Sequence, residues 1–299
     1  MDKSIIKILR IEDLKKAEKE LINGRIMGIQ ISKSATINTA PYEFFKPAYG
    51  MNVDTQGMTS EELIKSYKIG NKILDAQMRI EAHNKLAEKL AMDSNIGFSM
   101  INDIAYAWVS SICSFDIIWR IPEFELNQYA CRGKLAEAVF CEMLEGNPYP
   151  KEEEMIEFFK KKELLEDYAI MVNGSLGLTL EELSIKEQYE NVKDHMANIR
   201  YQVRVVNDEH LYIGKADIFC DWDGEPGCFD IKATATLPSY NQVVMYAVCE
   251  PRTKRIGYIP IGKTDLKRGF VQVKMTNDIK GNFKEAIKKR NRFYKRFGF

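Results

Sequence analysis

The hydrophobic pattern changes period about two thirds of the way along the chain. Residues 10–23 (RIEDLKKAEKELIN) are rich in helix formers, and Gly24 offers a stop. The run 24–37 reads as one or two strands. Pro41–Gly57 combines proline, glycine and aromatics without periodicity and reads as a long loop. Thr59 and Glu62 form a capping box, and residues 61–91 follow as one long amphipathic helix. Residues 105–119 (AYAWVSSICSFDIIW) are strongly apolar and predicted to be buried. After Pro122, residues 125–146 predict a helix closed by Gly146. Two acidic helical stretches follow, near 151–168 and 180–198, split by NGSLG.

From residue 199 the apolar positions fall into short β-rich runs: IRYQVRVV, LYIGKADIFCDW and GCFDIKATA. DGEPG between the last two is a turn signal, so they form a hairpin. PSYNQVVMYAVCE reads as a helix with Pro238 in its first turn, RIGYIPIG and GFVQVKM as two strands, and NFKEAIKKRNRFYKRF as a basic terminal helix. This order predicts an α/β domain over 106–299, with an acidic helical insertion at about 150–198 and a mainly helical region over 1–105.

Composition narrows the class. At 299 residues, 45% hydrophobic and 29% charged, the chain is that of an ordinary globular protein. No run approaches the roughly 20 apolar residues of a membrane-spanning helix, and charges interrupt the N-terminal MDKSIIKILRIEDLKK, so neither a membrane span nor a secretory leader is expected. Six scattered cysteines without a C-x-x-C pair predict a reduced, cytoplasmic setting rather than a disulfide frame or a thiolate metal site. The net charge of zero hides an asymmetry. Residues 252–299 carry 15 basic and three acidic residues, whereas 134–194 carry 15 acidic and seven basic. A basic terminus on a neutral chain suggests a polyanion, with Lys284, Lys288 and Arg292 on one stripe of the last helix. The acidic insertion is the alternative partner for that stripe.

The chemistry concentrates in Gly214-Lys-Ala-Asp217, twelve residues, then Asp230-Ile231-Lys232. Asp230 and Lys232 are two apart on a strand and share a face, and the hairpin can bring Asp217 beside them. Carboxylates held together repel, and an oxygen-seeking divalent cation such as Mg2+ or Mn2+ relieves that repulsion. Such a cation can activate water and neutralise charge on a phosphate, with the lysine beside it. The spacing alone arises by chance in roughly every second chain this long. Hydrophobic strand flanks, an upstream helix with Gly133-Lys-Leu-Ala-Glu137 and a downstream helix with Gln242-Val-Val-Met-Tyr246 set this instance apart.

In that order, Gly-x-x-x-Glu, Gly-x-x-Asp, Asp-x-Lys and Gln-x-x-x-Tyr resemble the PD-(D/E)xK nucleases of the RecB and lambda-exonuclease type, over about 125–260. The resemblance implies a restriction-endonuclease-like mixed sheet flanked by helices. It also implies metal ligation by Glu137, Asp217, Asp230 and the Ile231 carbonyl, catalysis by Lys232, and a Gln242 and Tyr246 that face the site. The implied activity is a metal-dependent deoxyribonuclease, and exonuclease action in recombination, repair or mobile-element processing is the first expectation. An endonuclease, or a non-catalytic DNA-binding protein, is the alternative. A homo-oligomer and a recombination or replication partner protein both stay open. Iron–sulfur relatives need a cysteine spacing that this chain lacks, so no cluster is expected.

Tyr246 could stack on bases or pack on the sheet. Gly257-Tyr-Ile-Pro-Ile-Gly-Lys-Thr264 satisfies the phosphate-loop pattern literally. Its interior is apolar, its proline removes an amide and only DLKRGF follows, so it reads as a strand and turn.

Overall fold

A computed structural model describes residues 59–94, 96–117, 121–234, 239–262 and 272–296, with the backbone of four strands between 28 and 54. The chain divides into two compact units. The first holds residues 1–112, 206–213 and 290–299; the second holds 113–205 and 214–289. The boundary thus falls near 112, and two later segments return to the first unit. The fold is α/β, with a mixed seven-stranded open sheet and flanking helices.

In the first unit, β1 (Gly28–Ser34) pairs antiparallel with β4 (Ala48–Asp54), and β2 (Ile37–Ala40) with β3 (Glu43–Phe45). The Pro41–Gly57 loop expectation is therefore corrected, because backbone pairing with residues 28–40 holds most of that segment extended. Helix α1 (Ser60–Ser94) starts at the expected capping box. The Thr59 amide donates to Glu62 Oε2 at 2.8 Å, and the Glu62 amide donates to Thr59 Oγ1 at 3.3 Å. Strands β5 (Phe98–Ile101) and β6 (Ile104–Trp108) form a hairpin. Helix α2 (Val109–Ser114) follows, so residues 105–114 of the apolar run are strand and helix; the expectation of burial fails at Ile117, which is exposed beyond the helix end. The predicted helix over 10–23 lies outside the described residues.

The second unit carries the long helix α3 (Glu123–Leu144), with Pro122 as its N-cap and Gly146 just beyond its end. Gly146 has φ +90°, which a side chain would strain. Short helices α4 (Met155–Lys161), α5 (Leu165–Val172) and α6 (Ile185–Val192) form the acidic insertion. The second acidic helix ends earlier than expected, and β7 (Met196–Asn207) begins at Met196.

Strands β8 (Tyr212–Trp222) and β9 (Glu225–Lys232) form the expected hairpin. Its turn is Asp223-Gly224, with φ of 51° and 80°, the doubly positive geometry that Asp-Gly supplies in tight hairpins. Helix α7 (Asn241–Ala247) leads to β10 (Arg255–Pro260), parallel to β9. Strand β11 (Lys274–Thr276) pairs with β10, and helix α8 (Ile279–Arg296) closes the chain. Residues 257–260 of the phosphate-loop pattern lie in a buried strand, as expected, with Tyr258 and Ile259 in the core; Lys263 and Thr264 lie outside the described residues. The sheet order is β11-β10-β9-β8-β6-β5, with β7 on β8.

Alternation along the hairpin decides what each face does. Ile218, Cys220, Trp222, Phe229 and Ile231 pack under Leu135, Ala136, Val139 and Phe140 of α3 in one hydrophobic cluster. Each such fully buried large apolar side chain contributes about 1.5–3 kcal/mol. Residues 217, 230 and 232 take the opposite parity and belong to the other face. None of the six cysteines is disulfide-bonded. Among the described residues, no helix is long and apolar enough to cross a membrane.

Candidate active site

The hairpin ladder runs as far as Ile218 opposite Phe229. One further step of the same register sets Asp217 opposite Asp230, where the two strands begin to part. Instead of a backbone carbonyl, the Asp217 carboxylate receives the Ile231 amide, at 2.8 Å to Oδ2. The Lys232 carbonyl accepts the Ile261 amide on the β10 side. Neighbouring residues of a strand point their backbone groups to opposite sides, so the Ile231 carbonyl faces the β8 side, toward Asp217.

Asp230 is 1% exposed, and its Oδ2 is ion-paired to the Lys232 ammonium. That contact is off the hydrogen-bonding direction, which leaves Oδ2 a buried oxygen without a properly aimed donor. Lys232 donates to Gln242 Oε1 at 3.3 Å, and Gln242 Nε2 donates to the Tyr246 hydroxyl at 3.0 Å. Helix α7 therefore holds the lysine through Gln242. Tyr246 itself is 3% exposed. Its ring is core, so it faces the site through its hydroxyl and offers no surface for base stacking.

Glu137, two turns before the end of α3, receives a hydrogen bond at Oε1 from the Gln202 side chain of β7. Three acids thus share one neighbourhood, and it raises the pKa of Glu137 and Asp217. Burial and then the Asp230 charge push Glu137 up to about 7, against Lys232, Lys215 and the Gln202 donor. Burial, Asp230 and Glu137 drive Asp217 well above the carboxylate range, against Lys232 and the Ile231 amide. For Lys232, burial acts to lower the pKa, but Asp230, Asp217 and Glu137 outweigh it and the ammonium is held above its ordinary value. Clustered, desolvated acids with one embedded cation are a common signature of a functional site.

The donors suit a hard divalent cation in type: the Asp217 and Asp230 carboxylates, the Ile231 carbonyl beside them and an Asp230 oxygen lacking an aimed donor. The set is not closed, however. Among the described residues, no three His, Cys, Asp or Glu side chains gather closely enough to hold a metal. Glu137 is turned onto Gln202 instead of joining the pair.

Gln202 was missed in the sequence. Its backbone φ is +50°, and Asn198 on the same strand has φ +51°. Left-handed non-glycine residues in a strand are strained, and such strain clusters where geometry matters. No composition signal marks them; the polar residues within IRYQVRVV are the only hint.

Cation binding must displace protons from this cluster. As pH rises, the affinity for Mg2+, measured by calorimetry, should increase about ten-fold per pH unit for each proton displaced, with one step near 7 where Glu137 ionises. Glu137→Gln should remove the step near 7 and raise the Mg2+ requirement. Gln202→Leu, which deletes a donor to the ionised form, should move the step to higher pH. A Mg2+ titration untouched by either change would make Glu137 an ordinary helix glutamate.

A cleft of about 1780 Å3 runs along α3 within the second unit and ends at Glu137, Ile231 and Lys232. The basic stripe is separate: Lys284, Lys288 and Arg292 are exposed on α8, while Ala286, Arg290, Phe293 and Tyr294 are buried on its other side. No family model matches this sequence, and no curated protein matches it.

Proposed function

We propose that the chain is a Mg2+- or Mn2+-dependent deoxyribonuclease on a restriction-endonuclease-like fold, acting as an exonuclease in recombination, repair or mobile-element DNA processing. The observation that carries the reading is the pairing of Asp217 and Asp230 where β8 and β9 part, with Lys232 against Asp230. The adjoining open cleft supports it, since a buried structural ion pair needs no channel to solvent.

A bound cation would polarise the phosphate and lower the pKa of the attacking water. Asp217 and Asp230 would bind it by charge, and the Ile231 carbonyl by its dipole. Gln242 fixes the Lys232 ammonium by accepting one of its hydrogen bonds, which would aim its other N–H groups at a phosphate oxygen or the water. Burial of Asp230 beside Lys232 keeps water from screening that charge. Glu137, with its pKa near neutrality, can hold or release a proton at its second oxygen while Gln202 occupies the first.

The test uses end-labelled linear DNA and closed circular DNA, each with Mg2+ or with EDTA. Metal-dependent loss of the linear form alone is the expected result. Loss of the circle as well would indicate an endonuclease, and survival of both would leave a DNA-binding protein.

The basic helix supports a polyanion partner. Lys288 pairs with Glu285 of its own helix, an exposed contact of little strength, and the acidic insertion answers part of its charge internally through Lys160–Glu157 and Lys193–Glu190. Each phosphate contact steepens the salt dependence of binding by about 0.9 log units. Neutralising Lys284, Lys288 and Arg292 together should weaken DNA binding uniformly across sequences and flatten the salt slope by about two to three units. An unaltered slope in filter-binding titrations would remove this helix from the DNA interface.

A further inference from the structure

A second recess lies at the turn end of the β8–β9 hairpin, within the second unit. The ladder pairs Cys220–Gly227 and Asp221–Pro226 border it, together with the Glu250–Thr253 loop after α7. Two backbone bonds fasten that loop: the Thr253 amide donates to the Glu250 carbonyl at 3.0 Å, and the Lys254 amide to the Pro226 carbonyl of β9 at 2.8 Å. The recess measures about 330 Å3, within the range that holds a small ligand, and shares no wall residue with the candidate active site. Asp221 stands four residues from Asp217, about 13 Å along β8.

The recess holds two arginines and two acids, and they do not pair off. Arg200 donates to Glu250 at 3.0 Å, with its guanidinium 5.2 Å from the Phe219 ring centre. Asp221 instead accepts a neutral donor, the Asn198 side-chain amide, at 2.7 Å. Asn198 makes that bond from a left-handed backbone, φ +51°, a cost that persists only where the surrounding structure requires it. Arg252 is exposed and has no ion pair among the described residues. Beside it, the Thr253 hydroxyl is buried without a partner. Charges needed only for the fold would pair, as Arg200 and Glu250 do. Here a carboxylate and a guanidinium line one small recess, and among the described residues neither has an opposite charge.

We infer that this recess binds a small zwitterion of the α-amino-acid class, its carboxylate on Arg252 and its ammonium on Asp221. A simple anion would satisfy the guanidinium but meet the Asp221 charge, and a simple amine would do the reverse. A zwitterion answers both with charge-assisted hydrogen bonds, and the Arg252 fork suits a carboxylate. It also brings no net charge into a recess whose own charges sum to zero. The inference goes beyond the nuclease reading and does not rest on it.

The experiment titrates the full chain by calorimetry and thermal melting with each common L-amino acid up to about 10 mM, and with acetate and methylamine as half-ligands. At least one amino acid should bind and raise the melting temperature. Acetate and methylamine should each bind at least about ten-fold more weakly, since each makes only one of the two charged contacts. Arg252→Gln and Asp221→Asn should each weaken amino-acid binding by about ten-fold or more. Both ligand-free variants should melt as wild type does, because Arg252 is exposed and an asparagine oxygen at 221 still accepts the Asn198 amide. If Asp221→Asn melts lower, Arg252→Gln alone decides. No binding by any amino acid at that concentration, or binding unmoved by Arg252→Gln, would overturn the site. Acetate binding as tightly as the amino acid would leave an anion site and overturn the zwitterion. DNA cleavage is not read in this experiment, so its outcome and that of the nuclease assay are independent.

Discussion

Replacing Asp217 or Asp230 by asparagine is expected to lower Mg2+-dependent DNA cleavage by roughly 100-fold or more, the scale on which a lost electrostatic contribution to the transition state acts. The two residues oppose each other at the end of one ladder, so each supplies part of a shared oxygen shell and neither suffices alone. An asparagine oxygen can still accept the Ile231 amide, so Asp217→Asn keeps the local backbone. Stability gives an independent reading. Because Asp217 is held well above the carboxylate range, the unfolded chain ionises first, and stability falls as pH rises from the unfolded pKa toward the folded one. Metal-free wild type should therefore melt lower at pH 8 than at pH 5. Asp217→Asn should reduce that fall and melt higher at pH 8 without metal. It should also lose most of the stabilisation that Mg2+ gives wild type, since only the native state presents both carboxylates. Full cleavage activity in either asparagine variant would remove the pair from the chemistry.

The hairpin bearing this pair is legible in the sequence because all of its signals are local. Apolar alternation marks β8 and β9, and Asp-Gly marks the turn. The parity of residues 217, 230 and 232 then follows from the strand period alone. Gln242 and Tyr246 come into view only through the resemblance, and the structure links Lys232 to Gln242 and Gln242 to the Tyr246 hydroxyl. What the sequence conceals is non-local or rests on backbone angles. Glu137 lies on the face of α3 that also carries core residues, so only tertiary packing decides that it reaches Gln202 of β7, 65 positions away. The left-handed turns at Asn198 and Gln202 interrupt alternation in β7 without a glycine to announce them. Strands β3 and β4 were hidden by the proline and glycines around them, because pairing with distant residues outweighs local propensity.

Lys232→Ala separates catalysis from metal binding. The ammonium is held on one side by Asp230 and on the other by Gln242, so its position at the cleft end is fixed before any substrate arrives. A preorganised charge of this kind stabilises the transition state without reorganisation, and losing such a contact costs on the order of 100-fold or more in rate. Its removal also takes one positive charge away from the two carboxylates. Mg2+ affinity, measured by calorimetry, should therefore hold or increase while cleavage falls. The metal-free variant should melt lower than wild type, because the Asp230 carboxylate stays buried without its cation. Mg2+ should recover much of that loss by replacing the missing positive charge. Lys232→Arg should not restore the rate: a planar fork is longer, and it directs its donors along fixed lines instead of presenting a compact charge between Asp230 and Gln242. Collapsed Mg2+ affinity with a rate near wild type would reverse the assignment, making Lys232 a scaffold for the carboxylates instead of a group acting on the phosphate or the water.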